Sequence, residues 1–381
     1  MPIPFLTGLR VLDLSQYIPG PYGTLILADL GADVIKVEPP GGEPMRGVGP
    51  KDESGVSVWY RMVNGGKTVV EIDLKSEDGK RDFRALVEQS DAFLESYRPG
   101  VLDRLGFGHA ALHEMNPGIV SCSLSGWGLE GPYRLRGGHD INYMGLMGGL
   151  ERSGVPERPV VSFPPTADFA SGMQAALSIM GGLLGRSRND EGRGATIDVS
   201  IAETVLPWQV WALNGLFHKE WDAQRAAQFP NGGAAFYNIY ETSDDRFITL
   251  GALEDKFWAN FCTACGRPEW IARQWEPRPQ EALIGEVAAF VRAHTLADMN
   301  RMMEGVDCCY EPVHRLKDVP EHPQIKARQM LRRHDTPTPA YEILFPGWID
   351  GEPPPPRPSV EYQAAPDVLA RWSDSTGLAA S

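Results

Sequence analysis

The N-terminal third of the chain alternates short apolar runs with stretches that are apolar at helical spacing. The pattern predicts, in order, strand 9–15, helix 20–31, strand 33–40, strand 68–74, helix 76–89, strand 91–97 and strand 118–126. Ser76, followed by the acids Glu77 and Asp78, is a typical start for the second of these helices. Because strands joined by helices form parallel sheets through right-handed crossovers, this part is predicted to be α/β and Rossmann-like.

The pattern changes in the second half. The later predicted elements are a helix rich in small residues over 166–186, a strand over 195–200, a hairpin over 235–253, and helices near 254–265 and 280–304. The hairpin turn is predicted at Ser243, Asp244 and Asp245, and these elements together indicate a smaller α+β domain. Prolines become dense further on, as in EPPPPRP at 352–358, and predict extended connections along a surface.

The composition is that of a soluble globular protein. Of 381 residues, 42% are hydrophobic and 23% are charged, which is enough for two domains with packed cores. The net charge of −14 argues against nucleic acid as the main partner. No apolar run reaches the ~18 residues that span a bilayer, and the N-terminus lacks a signal-peptide pattern. A cytoplasmic protein with no membrane contact is therefore expected.

The five cysteines, an odd number, fit reduced thiols. Cys262 and Cys265 form a C-x-x-C, and Cys308 and Cys309 are adjacent, so a four-thiolate zinc site is one interpretation. A packed helix face is the other, and the spacing of Trp258, Cys262 and Cys265 favours it. No metal is therefore expected.

Four polar residues stand at predicted helix starts. His139 and Asp140 follow two glycines in RGGHDINYMGLMGG, and Asp168 and Glu254 open later helices. Each acid can be explained as a first-turn residue that favours the helix dipole. Asp168 also suits a nucleophile or a proton carrier, with the backbone amides of its helix N-terminus holding a developing oxyanion. Glu254 can equally serve as the partner of a catalytic base.

The first strand–helix turn, SQYIPGPYG, argues against a nicotinamide cofactor. A dinucleotide-binding turn has the pattern G-x-G-x-x-G, whereas here Pro21 separates Gly20 from Gly23 and removes an amide that would face pyrophosphate. Arg98 and Arg104 flank a Pro-Gly turn just past a predicted strand end, where ligands bind in α/β sheets. They are either a phosphate clamp or a pair of solvated surface arginines.

Five stretches of the chain, in this order, resemble the family III CoA-transferase and α-methylacyl-CoA racemase superfamily. They are LTGLRVLDLSQYIPGPYGTLILADLGADVIKVEPP, SYRPGVLDRLG, GHDINY, ADFASGMQAAL and DCCYEPVHRLKDVPEHPQIKAR. The resemblance implies a Rossmann-like large domain with a parallel sheet plus a smaller α+β domain, in an interlocked homodimer. It also implies an acyl-CoA thioester as the substrate, with no cofactor beyond CoA itself.

The predicted domain boundaries combine the pattern with this resemblance. The chain divides into a large Rossmann-like CoA-binding domain over 1–200, a linker helix over 201–230, a small α+β domain over 231–305 and a return segment over 306–381 that completes the large domain. The resemblance further implies that the active site lies where domains of both subunits meet.

The resemblance also implies a CoA-binding site on the large domain. By position, that site would be formed by Ile18, Pro19, Ile72, Asp73, Leu74, Lys75, Ser96, Tyr97, Arg98, Arg104, Gly138 and Asp140. An arginine that relatives commonly carry after the second strand is Pro39 here, which removes one contact to phosphate or adenine.

Two chemistries are compatible with the resemblance. In the racemase chemistry, His139 and Asp168 move the α-proton of a 2-methylacyl-CoA on opposite faces of the carbon, and Glu254 pairs with the histidine. Histidine side chains accept and return protons near neutral pH, and two bases on opposite faces permit inversion. In the alternative, a CoA-transferase, Asp168 is the nucleophile that forms an aspartyl-CoA thioester. Pro164 stands where racemases often carry an asparagine, so Asp168 is expected to be supported differently.

Overall fold

The structure, a computed structural model, describes residues 3–218, 224–334 and 339–375. In chain order its strands are β1 (Arg10–Leu14), β2 (Asp33–Glu38), β3 (Thr68–Glu71), β4 (Ala92–Glu95), β5 (Val120–Ser125), β6 (Gly154–Val155), β7 (Arg158–Pro159), β8 (Thr196–Ser200), β9 (Tyr237–Glu241), β10 (Phe247–Gly251), β11 (Tyr310–Pro312), β12 (Leu331–His334), β13 (Ala340–Ile343) and β14 (Glu361–Tyr362).

The α-helices of the described residues vary from five to twenty-one residues. In chain order they are α1 (Pro19–Asp29), α2 (Val58–Asn64), α3 (Glu77–Glu88), α4 (Val101–Leu105), α5 (His109–Met115), α6 (Asp140–Leu146), α7 (Thr166–Arg186), α8 (Val210–Gly215), α9 (Asp255–Ala264), α10 (Glu281–Arg292), α11 (Leu296–Met303), α12 (Pro323–Arg328) and α13 (Ala365–Ser375). Within the described ranges, none of them is long and apolar enough to cross a bilayer.

The chain forms two compact units. The first consists of Met1–Met144, Pro164–Pro207 and Glu321–Ser381, and the second of Gly145–Phe163 and Trp208–Pro320. A seven-stranded sheet forms the centre of the first unit, in the order β14-β3-β2-β1-β4-β5-β8, and every neighbouring pair is parallel. The predicted α/β class with a parallel sheet is confirmed.

The strand order has a switch point beside β1. From β1 the sheet continues through β2 and β3 on one side, and through β4, β5 and β8 on the other. In sheets of this kind, ligands bind in the crevice outside the carboxyl ends of the strands at the switch point. The strand order therefore identifies the loops after β1 and β4 as the first place to look for a site.

Helices cover the sheet through their apolar faces. In α3, Phe83, Leu86 and Val87 are fully buried, and burying each such side chain stabilises the fold by about 1.5–3 kcal/mol. The helix begins after Ser76, whose Oγ accepts a hydrogen bond from the Gly79 backbone N–H at 3.0 Å, so the predicted cap is confirmed. The C-terminal helix α13 joins the same core through buried apolar side chains.

Two glycines allow α1 and α7 to approach closely. A Cβ atom at Gly172 would lie 2.5 Å from the Pro19 carbonyl oxygen, and one at Gly23 would lie 2.8 Å from the Gly172 carbonyl oxygen. Tyr22 and Phe169 pack edge to face beside this crossing, with ring centroids 4.9 Å apart. Because α1 starts where β1 ends, this packing brings the first turns of α7 to the carboxyl edge of the sheet.

The second unit is α+β, as predicted. Its sheet consists of β9, β10 and β11 in antiparallel pairs, and the hairpin turn contains Asp245 with a φ of 54°. The interior is apolar, with Trp258 and Trp270 fully buried among side chains of the sheet and helices. Cys262 and Cys265 are buried in this core, in agreement with the packed-helix interpretation.

The structure shows why two of the predicted elements are shorter than expected. The strand expected over 68–74 ends at Glu71, because Asp73 Oδ1 accepts the Lys75 N–H at 2.9 Å and turns the chain. The helix expected over 280–304 is divided into α10 and α11. The division occurs because the Thr295 hydroxyl accepts a backbone N–H of α11 and starts a new helix there.

Three segments differ from the predicted domain boundaries. Residues 306–320, predicted to begin the return segment of the large domain, belong to the second unit, where β11 pairs with β10. Residues 145–163 belong to the second unit, where the Arg225 guanidinium donates to three carbonyl oxygens of that segment. The linker helix predicted over 201–230 is instead a 3-10 turn with Pro207 inside it, followed by the short helix α8. Residues 219–223 of that linker lie outside the described residues.

Candidate active site at the carboxyl edge of the sheet

Loops after three strands of the first unit meet at one edge of its sheet. Residues 18–19 follow β1, residues 72–75 follow β3, and residues 96–98 follow β4. The loops after β1 and β4 are joined directly, since the Gln16 backbone N–H donates to Ser96 Oγ at 2.9 Å. Most of the stretches predicted to bind CoA therefore lie at the carboxyl edge, beside the switch point of the strand order.

The side chains at this edge differ in what they can offer a ligand. Ile72 and Leu74 are buried in the core, so only their backbone atoms can meet a bound molecule. Lys75 and Arg98 of these loops and Arg104 of α4 are exposed, and such cations suit an anionic ligand such as a phosphate. Of the other predicted contacts, Asp73 is exposed, Pro19 is buried, and Ile18, Ser96, Tyr97, Gly138 and Asp140 are half-buried.

Asp13 and Lys67 form a fully buried ion pair under the first turns of α1. Lys67 Nζ lies 3.0 Å from Asp13 Oδ2 and donates to Thr24 Oγ1 at 2.7 Å. Burial acts to raise the pKa of Asp13, but the charges of Lys67 and Lys36 outweigh it and hold the pKa well below its usual range. Burial lowers the pKa of Lys67 to about 8 against the attraction of Asp13. Each of the two buried residues is therefore stabilised in its charged form by the other.

A second buried pair, Lys36–Glu43, shapes the turn after β1. Lys36 Nζ donates to the Ser15 carbonyl oxygen at 2.8 Å and lies 3.2 Å from Glu43 Oε1. Glu43 Oε2 accepts the backbone N–H of Tyr17, whose φ is 63°, at 2.9 Å. A bulky residue keeps this left-handed conformation only where its surroundings hold it. Sequence reasoning missed both pairs, although a charge inside each of two apolar strands was a usable signal.

The GHDINY block begins α6 and is held by its own side chains. Tyr143 OH donates to the Gly138 carbonyl oxygen at 2.8 Å, and the His139 backbone N–H donates to Asn142 Oδ1 at 3.1 Å. A Cβ atom at Gly138 would lie 2.8 Å from the Tyr143 ring and 2.9 Å from the Trp127 ring, so glycine is required there. The His139 side chain is exposed at the start of the helix, where it can meet a ligand.

Asp140 connects this block to α7. Its Oδ1 accepts the backbone N–H groups of Ala167 at 2.7 Å and of Asp168 at 3.3 Å. The N-terminus of α7 is therefore capped by a side chain 27 positions away, because Pro165 at the N-cap provides no capping group. The expectation that these amides hold an oxyanion is wrong, since Asp140 already occupies them. Sequence reasoning had no signal for this long-range cap.

Asp168 lies in the first turn of α7 beside this cap. Its carboxyl group is half-buried, and burial together with the charge of Asp140 raises its pKa to about 6. Burial and the same two acids raise the pKa of Tyr143 to about 12, so the three groups share one environment. A carboxyl group with a pKa near neutrality can either accept a proton or act as a nucleophile.

Glu254 belongs to the second unit, where it is the residue immediately before α9. Its side chain is exposed and makes no capping hydrogen bond to that helix. An acid at this position still favours the helix dipole, so that explanation stays open. Its pairing with His139 stays a prediction.

The first unit is thus a parallel α/β domain that carries an exposed histidine and a carboxyl group of raised pKa. The chain belongs to the CoA-transferase family III, which it matches over residues 6–360. The resemblance inferred from its motifs is thereby confirmed.

The relatives of this chain include both a racemase and CoA-transferases. The chain is similar to the alpha-methylacyl-CoA racemase of Homo sapiens, with 32% identity covering 85% of this chain and 81% of the relative. It is similar to the succinyl-CoA–D-citramalate CoA-transferase of Chloroflexus aurantiacus, with 31% identity covering 86% of this chain and 82% of the relative. A solved CaiB/BaiF family protein from Brucella suis has a TM-score of 0.81 and 25% identity, covering 97% of this chain and 99% of that chain.

Proposed function

We propose that the protein is a racemase that inverts the carbon next to the thioester of a 2-methylacyl-CoA. The observation that carries the proposal is the Asp140 cap, which joins the residue after His139 to the backbone of Asp168. An imidazole and a carboxyl group thus come from two separate helices to one edge of the sheet. This is the pair of groups that a two-base proton transfer needs.

In the proposed mechanism, one base removes the α-proton while the other delivers a proton to the opposite face of the carbon. His139 is exposed to substrate, and Asp168, with its pKa of about 6, exchanges protons readily near neutral pH. After inversion the first base holds a proton and the second has lost one, so the enzyme is ready for the other epimer. The enolate oxygen needs donors other than the Ala167 and Asp168 amides, which Asp140 occupies.

The CoA part of the substrate is proposed to lie along the carboxyl edge. Lys75, Arg98 and Arg104 would provide positive charge for its phosphates, and the turn held by Lys36 and Glu43 would provide backbone groups. Proton transfer at carbon requires no redox or metal cofactor, so none is proposed.

The alternative is a CoA-transferase in which Asp168 is the nucleophile. Its half-buried carboxyl group in the first turn of a helix and the similarity to a succinyl-CoA–D-citramalate CoA-transferase support it. In that chemistry the carboxylate attacks the thioester and releases CoA thiolate, and an aspartyl-acyl anhydride forms. The thiolate then displaces the acid and leaves an aspartyl-CoA thioester, with no proton-transfer role for His139.

A homodimer is part of the proposal. Helix α7 exposes Met173, Leu177 and Leu184 to 56%, 60% and 52%, and an exposed apolar face of this kind is typical of a subunit interface. Size-exclusion chromatography with light scattering is expected to give twice the chain mass for the wild type and the chain mass for Leu177→Glu. A monomeric wild type would contradict the dimer.

The test of the reaction follows epimerisation and label uptake together. Purified protein is incubated with one epimer of a 2-methylacyl-CoA in deuterated water, and epimer ratio and deuterium at C2 are measured over time. Racemisation with deuterium uptake is expected for the wild type, with losses of about 10²-fold or more in His139→Ala and Asp168→Ala. Asp190→Ala, which removes an exposed loop acid, serves as the matched control.

Two other results would change the conclusion. Absence of exchange in the wild type contradicts the racemase. If the protein then moves CoA to added free carboxylic acids, and this activity needs Asp168 but not His139, the transferase is the correct function. Trapping the aspartyl-CoA thioester with hydroxylamine and locating it by mass spectrometry would identify the nucleophile directly.

A further inference from the structure

A chain of buried polar groups lies beneath the loop after β4, apart from the groups assigned to the reaction. Glu95 is the last residue of β4, and its Oε2 accepts the Tyr97 backbone N–H at 2.6 Å. Ser123 is the register partner of Glu95 on the neighbouring strand β5, and its hydroxyl acts to lower the pKa of the same carboxyl group. The Ser123 hydroxyl also lies 2.9 Å from His109 Nε2, and the Ser121 hydroxyl lies 2.8 Å from His109 Nδ1. The imidazole and the two hydroxyls are thus connected in series, and the carboxyl group lies on the neighbouring strand opposite the Ser123 end.

This series of polar groups is enclosed at the Glu95 end and open to solvent at the Ser121 end. Glu95 is 4% exposed, and the two serines are also buried. Ser121 further contacts His113 at 3.5 Å, and His113 lines an open pocket of about 490 Å³ with Arg193 and neighbouring residues. Protons from solvent can therefore reach the outer end of the series, although Glu95 itself has little contact with water.

Each hydroxyl carries a single proton, so the donor directions along the series are linked. When Glu95 is ionised, Ser123 donates to it, His109 Nε2–H donates to Ser123, and Ser121 donates to Nδ1. When Glu95 carries a proton, it donates to Ser123, Ser123 donates to Nε2, and Nδ1–H donates to Ser121. One proton bound at Glu95 therefore reverses every bond and exchanges the tautomer of His109 without charging the ring.

The charged surroundings favour such an exchange near neutrality. Burial raises the pKa of Glu95 to about 7 against the hydrogen bonds from Ser123 and the Tyr97 N–H, and the acids Asp103 of α4 and Asp198 of β8 add to the rise. Burial and the neighbouring His113 lower the pKa of His109, while the same two acids oppose this. The lowered pKa of His109 favours the neutral imidazole, whose tautomers can exchange.

The protonation of Glu95 affects the loop after β4 through one hydrogen bond, from the Tyr97 N–H to Glu95 Oε2. An ionised carboxylate holds a backbone N–H about twice as strongly as a neutral acceptor does, so ionised Glu95 fixes Tyr97 firmly. Tyr97 lies between Ser96, which is bonded to the turn after β1, and Arg98. The conformation of residues 96–98 therefore depends on whether Glu95 carries a proton.

We propose that Glu95 is a positioning residue that controls CoA binding through the loop 96–98, and that Ser123, His109 and Ser121 form the relay that sets its protonation. The proposal rests on the proposed function for the identity of the ligand, but not for the existence of the relay. Ionised Glu95 holds the loop in the binding conformation. Protonated Glu95 holds the Tyr97 N–H more weakly and so weakens binding.

The first test measures the dissociation constant of free CoA by calorimetry between pH 5.5 and 8.5, on the full-length protein. Glu95→Gln keeps an oxygen acceptor but removes the titration. Acidification is expected to weaken binding to the wild type about fivefold or more beyond its effect on Glu95→Gln. The phosphate of CoA titrates near pH 6 and affects both proteins equally, so the ratio removes it. Glu88→Gln, which changes an exposed acid on α3, is expected to follow the wild type.

The second test does not depend on CoA or on the folding of a Glu95 variant. Nitrogen-15 imidazole spectra of the wild type are recorded across the same pH range, with His109→Gln used for assignment. The proton is expected on Nε2 above neutral pH and on Nδ1 below it. A single tautomer throughout the range would overturn the relay.

The two proposals fail in different ways. If CoA does not bind even at pH 8.5, the proposed function is contradicted, and with it the ligand assigned to the loop. If CoA binds with the same pH dependence in the wild type and in Glu95→Gln, the proposed function survives and the positioning role of Glu95 is overturned.

Discussion

The interiors of the two units are built differently. The second unit encloses aromatic and aliphatic side chains, and its buried polar residues are uncharged, namely Gln228, Thr242, Gln274 and Gln280. The first unit also has an apolar core, but it buries the charged residues Asp13, Lys36, Glu38, Glu43, Lys67 and Glu95. In the described part of the second unit, no charged side chain is buried to the same degree.

The difference shows that the buried charged residues lie in the unit that carries the candidate site. Burying a charge is costly unless a partner compensates it, so such groups persist where they do something that apolar residues cannot. In the first unit they bind backbone groups of the site: Lys36 holds the Ser15 carbonyl, and Glu43 and Glu95 hold loop N–H groups. The interior of the second unit serves stability, whereas that of the first also determines the shape of a ligand site.

The largest expected effect comes from separating a buried charge from its partner. Lys67→Met leaves the fully buried Asp13 carboxylate without its nearest cation, and the free energy of unfolding is expected to fall by about 3–5 kcal/mol in urea denaturation. The control is Lys80→Met, which breaks a surface pair with Glu77 and is expected to cost less than about 1 kcal/mol. Equal losses in both variants would remove the contrast between buried and exposed charges.

The matching change in the second unit is Leu283→Ala. It removes a fully buried side chain from an apolar core, and the expected loss is about 2–5 kcal/mol from lost burial and a residual cavity. Because no buried charge is involved, the loss should be the same at pH 6 and pH 8 when measured by the same urea titrations. A pH-dependent loss would show that the two interiors are less different than the structure indicates.

The glycine crossing of the first unit is sensitive to a single methyl group. In Gly172→Ala the new Cβ would press on the Pro19 carbonyl, with an expected cost of about 1–3 kcal/mol and reduced activity, because Asp168 lies one turn away. Gly181→Ala, in the same helix but facing open space, is expected to be neutral or to stabilise by about 0.5–1 kcal/mol. Thermal unfolding and turnover of the two variants give the comparison.

Because the pKa of Asp168 is raised, replacing this residue is expected to increase stability relative to the wild type as the pH rises. A carboxyl group whose pKa is higher in the folded protein contributes stability below its unfolded pKa of about 3.9, and that stability is lost as the pH rises through 6. Asp168→Asn does not titrate, so relative to the wild type it should gain about 1–2 kcal/mol between pH 4 and pH 8. A constant difference across that range would contradict the raised pKa.

The smallest effect is expected from Asp140→Asn. The amide oxygen still accepts the Ala167 N–H, so stability should fall by only about 0.3–1 kcal/mol through loss of charge at the helix N-terminus. Loss of that charge should also lower the pKa of Asp168 and move the acidic limb of the pH–rate profile to lower pH. An acidic limb at its original pH would mean that Asp140 does not act on Asp168.

Local patterns predicted most of the elements because the determinants of those elements are local. The long helix over 166–186, the Ser76 cap and the turn at 243–245 depend on residues within a few positions of one another. The helix predicted over 280–304 was only partly correct. The Thr295 cap starts a new helix inside an otherwise continuous apolar pattern, and hydrophobic periodicity alone cannot detect such a break.

The candidate site could be predicted only in part. Motifs identified His139 and Asp168, and the family resemblance assigned the loops near residues 18 and 96 to one CoA site. The support beneath that edge was missed, because Asp13, Lys36 and Glu95 lie in strands where only the packed structure determines whether a charge is buried.

The sequence by itself determined most of the secondary structure, the parallel class of the sheet and the family, since periodicity, turn chemistry and motifs are properties of neighbouring residues. Only the tertiary structure decided which groups act on one another. Asp140 caps a helix that begins 26 residues after it, and the pKa of Asp168 follows from the burial and charge found there. Hydrogen bonds and desolvation depend on distances of a few ångströms between distant segments, and those distances exist only once α6 and α7 have packed.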